Sequence, residues 1–66
     1  MKVYFDPDVD ALNVRLDDSP VIESEEVRPG IVLDFNADDQ VVEFEILGVQ
    51  GRVPGADLKE MRFRVA

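Results

Sequence analysis

Three aspartates alternate with other residues in the stretch DPDVDALNVRLD, as they do at the start of a calcium-binding loop of the EF-hand type. Asp6, Asp8 and Asp10 would take positions 1, 3 and 5 of such a loop. Two other positions disagree, because Ala11 stands where the sharp turn needs glycine and Asp17 stands where a bidentate glutamate closes the loop. The stretch therefore does not predict an EF-hand.

The second half of this stretch alternates apolar and polar residues, which is typical of a half-buried β-strand. Leu12, Val14 and Leu16 fall on one side of that strand. A chain that pairs as a strand cannot also wrap an ion, so the aspartates before it are predicted to shape a turn. The predicted structural turn residues are Asp6, Pro7 and Asp10 here, and Pro29 and Gly30 later in the chain.

A second group of carboxylates could hold a metal ion weakly. Glu43 and Glu45 share one face of a strand at i, i+2 spacing, and Asp34 is expected on the same non-core face of a neighbouring strand. Carboxylate oxygens are ligands for hard divalent cations. The other interpretation is a solvated sheet face whose charges discourage edge-to-edge pairing, and the sequence leaves both open.

The sequence offers little for catalysis. It has no histidine, cysteine or threonine, and Ser19 and Ser24 are its only serines. Nucleophilic chemistry of the Ser–His or Cys–His kind is therefore impossible within one chain. Neither Lys2 nor Lys59 lies in an apolar run that would depress its pKa. We expect no enzyme activity, no catalytic residue and no cofactor.

The charge is large, negative and unevenly distributed along the chain. The net charge of −8 over 66 residues argues against nucleic acid as a partner, because phosphate would be repelled. Residues 1–47 carry 13 of the 15 acidic residues, whereas residues 48–66 carry an excess of basic ones. Attraction between the two parts, within or between chains, is one use of this asymmetry. The candidate interaction residues are Glu25, Glu26, Arg62 and Arg64.

Nothing in the sequence points to a membrane or to secretion. No run approaches the roughly 18 apolar residues of a membrane-spanning helix. The N-terminus becomes acidic after MKVYF and has no apolar signal region. Together with the absence of cysteine, these features lead us to expect a cytoplasmic protein.

The alternation predicts a mainly β fold for a single small domain over residues 1–66. We expect a four- to five-stranded antiparallel meander in residues 1–47, because neighbouring runs are joined by short turns. Residues 48–66 form a basic C-terminal extension, in which a short helix near residues 56–60 and a final strand over residues 61–65 are predicted. With that helix, the fold class would be α+β.

The predicted sheet has one strongly apolar face. Its members are Val3, Phe5, Leu12, Val14, Leu16, Ile31, Leu33, Phe35, Val42, Phe44 and Ile46. No amphipathic helix of ordinary length in the first 50 residues could cover this face, yet an apolar sheet face must pack on something. Either the tail covers it or two protomers stack face to face, and we expect a homodimer.

Three segments resemble one known family. FDPDVDALNVRL, DDSPVIESEEVRPGIVLDFN and VVEFEIL are similar to a small prokaryotic domain of unknown function, the family numbered 2283, over residues 4–48. The matching residues are Phe5, Asp6, Pro7, Asp10 and Leu12, then Ser24, Glu25 and Glu26, then Pro29, Gly30 and Asp34, and finally Glu45, Ile46 and Leu47. Asn13 departs from the family, which commonly has an aromatic residue there, and the tail from Gly48 has no counterpart.

The resemblance implies a compact, mostly β fold without assigned activity, and a role as the antitoxin or partner of a small toxin-like protein. Together with the charge and the apolar face, it leads us to predict a protein-interaction module with a basic protein partner. The alternative is a weak divalent-cation-binding domain that uses surface carboxylates.

Overall fold

The computed structural model describes all 66 residues, and they form one antiparallel sheet followed by a single helical turn. The strands are β1 (Lys2–Asp6), β2 (Ala11–Arg15), β3 (Glu23–Arg28), β4 (Ile31–Phe35) and β5 (Val41–Leu47), and the helix is α1 (Val49–Arg52). The mainly β fold with five antiparallel strands is confirmed. No helix is long and apolar enough to cross a membrane.

The strands do not follow one another as a simple meander. Their order across the sheet is β1-β2-β5-β4-β3, so β2 pairs with β5 instead of β3. The predicted meander is therefore wrong at this connection, although β3, β4 and β5 do follow in turn. Residues 16–22 run from β2 to the far edge of the sheet.

The side chains explain why β2 prefers β5. In the observed register Val14 lies beside Phe44 and Leu12 beside Ile46, so apolar residues meet on one face. Pairing β2 with β3 would instead bring this apolar row against ESEEV. The acidic β3 consequently lies at the edge, where its charges stay solvated.

The register gives the sheet one apolar and one polar face, as predicted. The apolar rows run across four strands: Val3, Val14, Phe44 and Leu33 in one, and Phe5, Leu12, Ile46 and Ile31 in the next. None of these eight side chains is fully buried: Val3 is exposed and the other seven are half-buried. The sheet is therefore a single layer whose apolar side is only partly covered.

Three turns connect the strands where the sequence predicts them. In the β1–β2 turn, the Asp8 N–H donates to Asp6 Oδ1 (2.9 Å), and Asp10 has a left-handed backbone with φ 54°. Gly30, in the β3–β4 turn, has φ 77°, which favours glycine. Asn36 organises the β4–β5 loop, since its Oδ1 accepts the N–H groups of Asp38 and Gln40 at 3.0 Å each.

A bulge interrupts the pairing of β4 with β5. Asp34 pairs with Glu43 and Phe35 with Val41, so Val42 is an extra residue in β5. Its side chain is 1% exposed and its carbonyl accepts the N–H groups of Leu16 (2.7 Å) and Asp17 (3.4 Å). The bulge thus anchors the start of the connection that leaves β2.

The tail differs from its prediction in two ways. The helix lies at Val49–Arg52, whereas residues 56–60 contain only a turn, and no strand forms over residues 61–65. The helix forms where it is anchored: Asp10 accepts the Gln50 N–H, and Val49 is buried. The segment MRFRV alternates like a strand, but within one chain it has no partner strand to supply hydrogen bonds.

Candidate functional site

The polar face of the sheet brings three carboxylates together. Asp34 on β4 lies opposite Glu43 on β5, and Glu45 follows two residues later on the same face. One carboxylate oxygen from each residue lies within 4.8 Å of the other two. The sequence predicted this grouping, and we call these three residues the carboxylate cluster.

Asp34 is the buried member of the carboxylate cluster. It is 3% exposed, and its Oδ1 accepts a hydrogen bond from Ser24 Oγ at 2.5 Å. Its Oδ2 is buried and has no hydrogen-bond partner. Leaving a buried carboxylate oxygen without a donor costs free energy of roughly 1–3 kcal/mol or more, so Asp34 holds an unused acceptor inside the cluster.

The two glutamates are half-buried and are held by side chains of β2. Arg15 Nη1 pairs with Glu43 Oε2 at 3.2 Å, and both side chains are about one-fifth to one-quarter exposed. Asn13 Nδ2 donates to Glu45 Oε1 at 3.1 Å. Arg15 also binds the carbonyls of Asp17 and Ser19. These contacts fix the glutamates while leaving the cluster open towards solvent on the polar face.

Arg15 and Asn13 were missed as members of this site. Their alternation in ALNVR placed them on the polar face, but only the pairing of β2 with β5 brings Arg15 beside Glu43 and Asn13 beside Glu45. That pairing joins residues about 30 positions apart and leaves no trace in local alternation. The sequence signal for this pairing is the opposite charge of Arg15 in β2 and Glu43 in β5.

The cluster disturbs the titration of Glu45. Protonated Glu45 can donate a hydrogen bond to Asp34, and this raises the pKa of Glu45 most, followed by burial and by the charges of Asp34 and Glu43, whereas the Asn13 amide lowers it. A proton is therefore retained on Glu45 more strongly than on an ordinary glutamate. Three carboxylates beside one arginine leave the site short of positive charge.

The other predicted residues lie outside this cluster. Glu25 and Glu26 are exposed on the edge strand β3 and form no ion pair. Arg62 pairs only with the nearby Glu60 (2.7 Å), and Arg64 forms no ion pair. Neither of these tail arginines therefore pairs with an acidic residue of the sheet within one chain.

The apolar face carries a second candidate site. A groove of about 510 Å³ separates residues 57–61 from β1 and β2. Its apolar wall includes Val3, Phe5, Leu12 and Val14, and Leu58 and Met61 face it from the tail. The tail therefore lies beside the sheet without closing over it, and the groove could accept further apolar side chains.

Comparison with protein families identifies one family that matches most of the chain. The family described as "Protein of unknown function (DUF2283)" matches residues 2–50. The chain belongs to the DUF2283 family. No curated protein and no solved structure matches it.

The DUF2283 match includes all five strands and the first residues of α1. The carboxylate cluster and the apolar rows of the sheet therefore lie within the family domain. The tail wall of the groove, residues 57–61, lies outside the match.

Proposed function

We propose that this DUF2283 domain is a protein-interaction module that associates with a second copy through its apolar sheet face. The main support for this proposal is the solvent-accessible surface of the chain, which is 5148 Å². A compact monomer of this mass exposes about 4,200 Å². The chain therefore exposes roughly 900 Å² more than a closed monomer would.

The shape of the chain supports the same proposal. Its radius of gyration is 12.7 Å, against about 10.8 Å for a compact domain of 66 residues. The excess arises because a single sheet has no second layer, and because the tail projects Met61, Phe63 and Val65 into solvent. Two sheets stacked on their apolar faces would form an ordinary two-layer core.

The excess area agrees with the size of a stable interface. Specific protein interfaces bury about 800 Å² on each partner, which is close to this excess of roughly 900 Å². A second copy presents the same apolar rows, so a two-fold arrangement would match apolar side chains with apolar side chains. The carboxylates of the polar face would stay in solvent, and Glu23 and Glu25, which lie opposite Phe35 and Leu33 on the edge strand, would stand at the rim of the stacked faces.

The test uses two substitutions on one strand. Val3 (42% exposed) faces the apolar side of β1, and Tyr4 (64% exposed) faces the polar side. We expect the wild type and Tyr4→Lys to sediment as dimers at micromolar concentration, while Val3→Lys shifts the equilibrium towards monomer. A desolvated lysine at the interface would weaken association by about tenfold or more.

Sedimentation equilibrium and circular dichroism together decide the matter. Circular dichroism verifies that each variant keeps its sheet, so a folded monomer can be told from an unfolded chain. A monomeric wild type across the micromolar range would contradict the proposal. Equal dimerisation of the Val3→Lys and Tyr4→Lys variants would contradict the choice of face.

We further propose that a basic protein partner, of the small toxin-like kind, binds the β3 edge in the prokaryotic cytoplasm. Glu23, Glu25 and Glu26 crowd this edge strand. Edge strands can accept another strand through backbone hydrogen bonds, and acidic side chains would favour a basic one. The observation that supports this surface is the absence of any ion pair to these glutamates within the chain.

The basic-partner proposal is tested with the protein encoded beside this gene. Replacing Glu25 and Glu26 together by glutamine should weaken binding and reduce its salt dependence. The matched control replaces Asp38 and Asp39 by asparagine, which removes the same charge from the exposed β4–β5 loop. Equal weakening by both double variants would reveal only non-specific attraction and contradict a binding edge at β3.

A further inference from the structure

The buried Oδ2 of Asp34 is paired with no donor or positively charged group of the chain. Ser24 satisfies Oδ1, but Oδ2 is buried without any donor. The only cation near the cluster, Arg15, pairs with Glu43 and is also engaged by two backbone carbonyls. Buried carboxylates are ordinarily paired with cations, coordinate metals or keep a proton.

The arrangement of the three carboxylates suits one bound ion. Their contributing oxygens lie within 4.8 Å of one another. Calcium binds oxygen at about 2.3–2.6 Å, so oxygens on opposite sides of one ion lie roughly 4.6–5.2 Å apart. A separation of at most 4.8 Å lets all three oxygens contact one divalent cation, and calcium, whose coordination geometry is flexible, is the probe of choice.

The strands hold this geometry without large rearrangement. Asp34 and Glu43 are cross-strand partners in the β4–β5 ladder, so their Cα positions are fixed by backbone pairing. Arg15 and Asn13 restrain the two glutamates from β2. Such partners behind the ligands reduce the ordering that an ion must impose when it binds.

We propose that Asp34, Glu43 and Glu45 form a binding site for a divalent cation on the polar face of the sheet. Asp34 Oδ2 supplies the innermost ligand, and one oxygen from each glutamate completes a three-carboxylate side. Water fills the remaining positions towards solvent, as is usual for calcium. The bound ion ties β4 to β5.

This site is independent of the proposed interface. The carboxylate cluster lies on the polar face, whereas the second copy is proposed to cover the opposite face. Failure of dimerisation would therefore leave the cation site untouched, and failure of cation binding would leave the dimer untouched.

The test is calorimetric titration of the chelator-treated full chain with calcium chloride at neutral pH, accompanied by thermal unfolding with and without calcium. We expect one ion per chain and an unfolding midpoint that rises with calcium concentration. Asp34→Asn and Glu45→Gln should each weaken binding by at least about tenfold. Glu26→Gln removes one charge from the same face at the edge strand, and it should change affinity by less than about twofold.

Each outcome bears on the proposal. No heat of binding and no midpoint shift up to about 10 mM calcium or manganese would overturn it. Equal weakening by Glu26→Gln and Glu45→Gln would also overturn it, because that result indicates diffuse attraction by an acidic surface. If Asp34→Asn fails to fold, Glu45→Gln still decides, since Glu45 is half-buried and its amide can keep the Asn13 contact.

Discussion

At the scale of single residues, a few side chains have roles that their neighbours in sequence do not reveal. Arg52 donates from Nε to the Leu47 carbonyl (2.7 Å) and from Nη2 to the Pro29 carbonyl, so one guanidinium joins α1 to the end of β5 and to the β3–β4 turn. Gly30 lies directly beneath it. The absence of a side chain at Gly30 thus leaves the space that the Arg52 guanidinium occupies.

A glycine series separates backbone strain from crowding. Gly30 and Gly48 both have left-handed backbones, at φ 77° and φ 66°, but only Gly30 would place a Cβ against Arg52. We expect Gly48→Ala to lower the free energy of unfolding by about 1 kcal/mol, and Gly30→Ala by about 2 kcal/mol or more. Gly55→Ala, where the space is open, is the control and should change stability little. Urea unfolding measures all three, and equal losses at Gly30 and Gly48 would argue against crowding.

The raised pKa of Glu45 predicts a pH dependence of stability with a definite sign. Between its ordinary value of 4.5 and the raised pKa, the folded state holds a proton that the unfolded state has released. Stability contributed by that proton is therefore lost as the pH rises through this window. Glu45→Gln should lack the decline and should be more stable than the wild type at neutral pH by roughly 0.5 kcal/mol.

The measurement for Glu45 is the difference in unfolding free energy between variant and wild type as a function of pH, without added metal. Asp17 contributes in the opposite sense, because hydrogen bonds from Ser19 lower its pKa from 3.8, so its stabilisation is lost on acidification. Subtracting the wild-type curve removes that contribution. A difference that stays flat from acid to neutral pH would contradict the coupling of Glu45 with Asp34.

At the scale of elements, the β1–β2 turn and α1 form one unit although 40 residues separate them. The Asp10 carbonyl accepts the N–H groups of Gly48 (2.9 Å) and Val49 (3.2 Å), and its carboxylate accepts the Gln50 N–H at 3.0 Å. Asp10 thereby satisfies amides at the start of a helix of four residues, which would be too short to persist alone.

Substitutions of Asp10 test this anchoring. Asp10→Ala removes the carboxylate acceptor of the Gln50 N–H and places alanine at φ 54°, so we expect a loss of about 2 kcal/mol in unfolding free energy. Asp10→Asn keeps an acceptor and tolerates this backbone, and it should lose less than half as much. Chemical denaturation compares the two, while amide exchange at Gln50 reports the cap directly. Equal losses would assign the effect to charge alone.

The sequence predicted these elements only where local pattern determines them. Alternation in ALNVRL and VVEFEIL gave the strands, the apolar face and the carboxylate cluster, because side-chain direction follows from a period of two. It could not give the pairing of β2 with β5, which depends on apolar matching between distant segments. Nor could it place α1, since VQGR has little helix propensity and depends on contacts with Asp10.

At the scale of the whole molecule, the tail contributes surface without contributing core. Beyond Arg52 no residue is buried, and Phe63 remains 67% exposed. All strands and the helix precede this point. The stability of the single chain should therefore be determined by residues 1–52.

Removing residues 57–66 tests this division. We expect the shortened chain to keep its sheet and to change its unfolding free energy, measured at low protein concentration, by less than about 1 kcal/mol. The reason is that the deleted segment borders the groove without sealing it. Urea denaturation followed by circular dichroism provides the measurement. An unfolded product would imply that the tail supplies core contacts, contrary to its exposure.

The bulge at Val42 has a consequence for how this domain can vary. Because side chains alternate between faces, one inserted or deleted residue in β5 would turn Glu43 and Glu45 towards the apolar rows and Phe44 towards the carboxylates. The extra residue, Val42, already determines which β5 side chains point to each face. We therefore expect β5 to tolerate the insertion or deletion of two residues but not of one, whereas the β4–β5 loop outside the bulge can accept either.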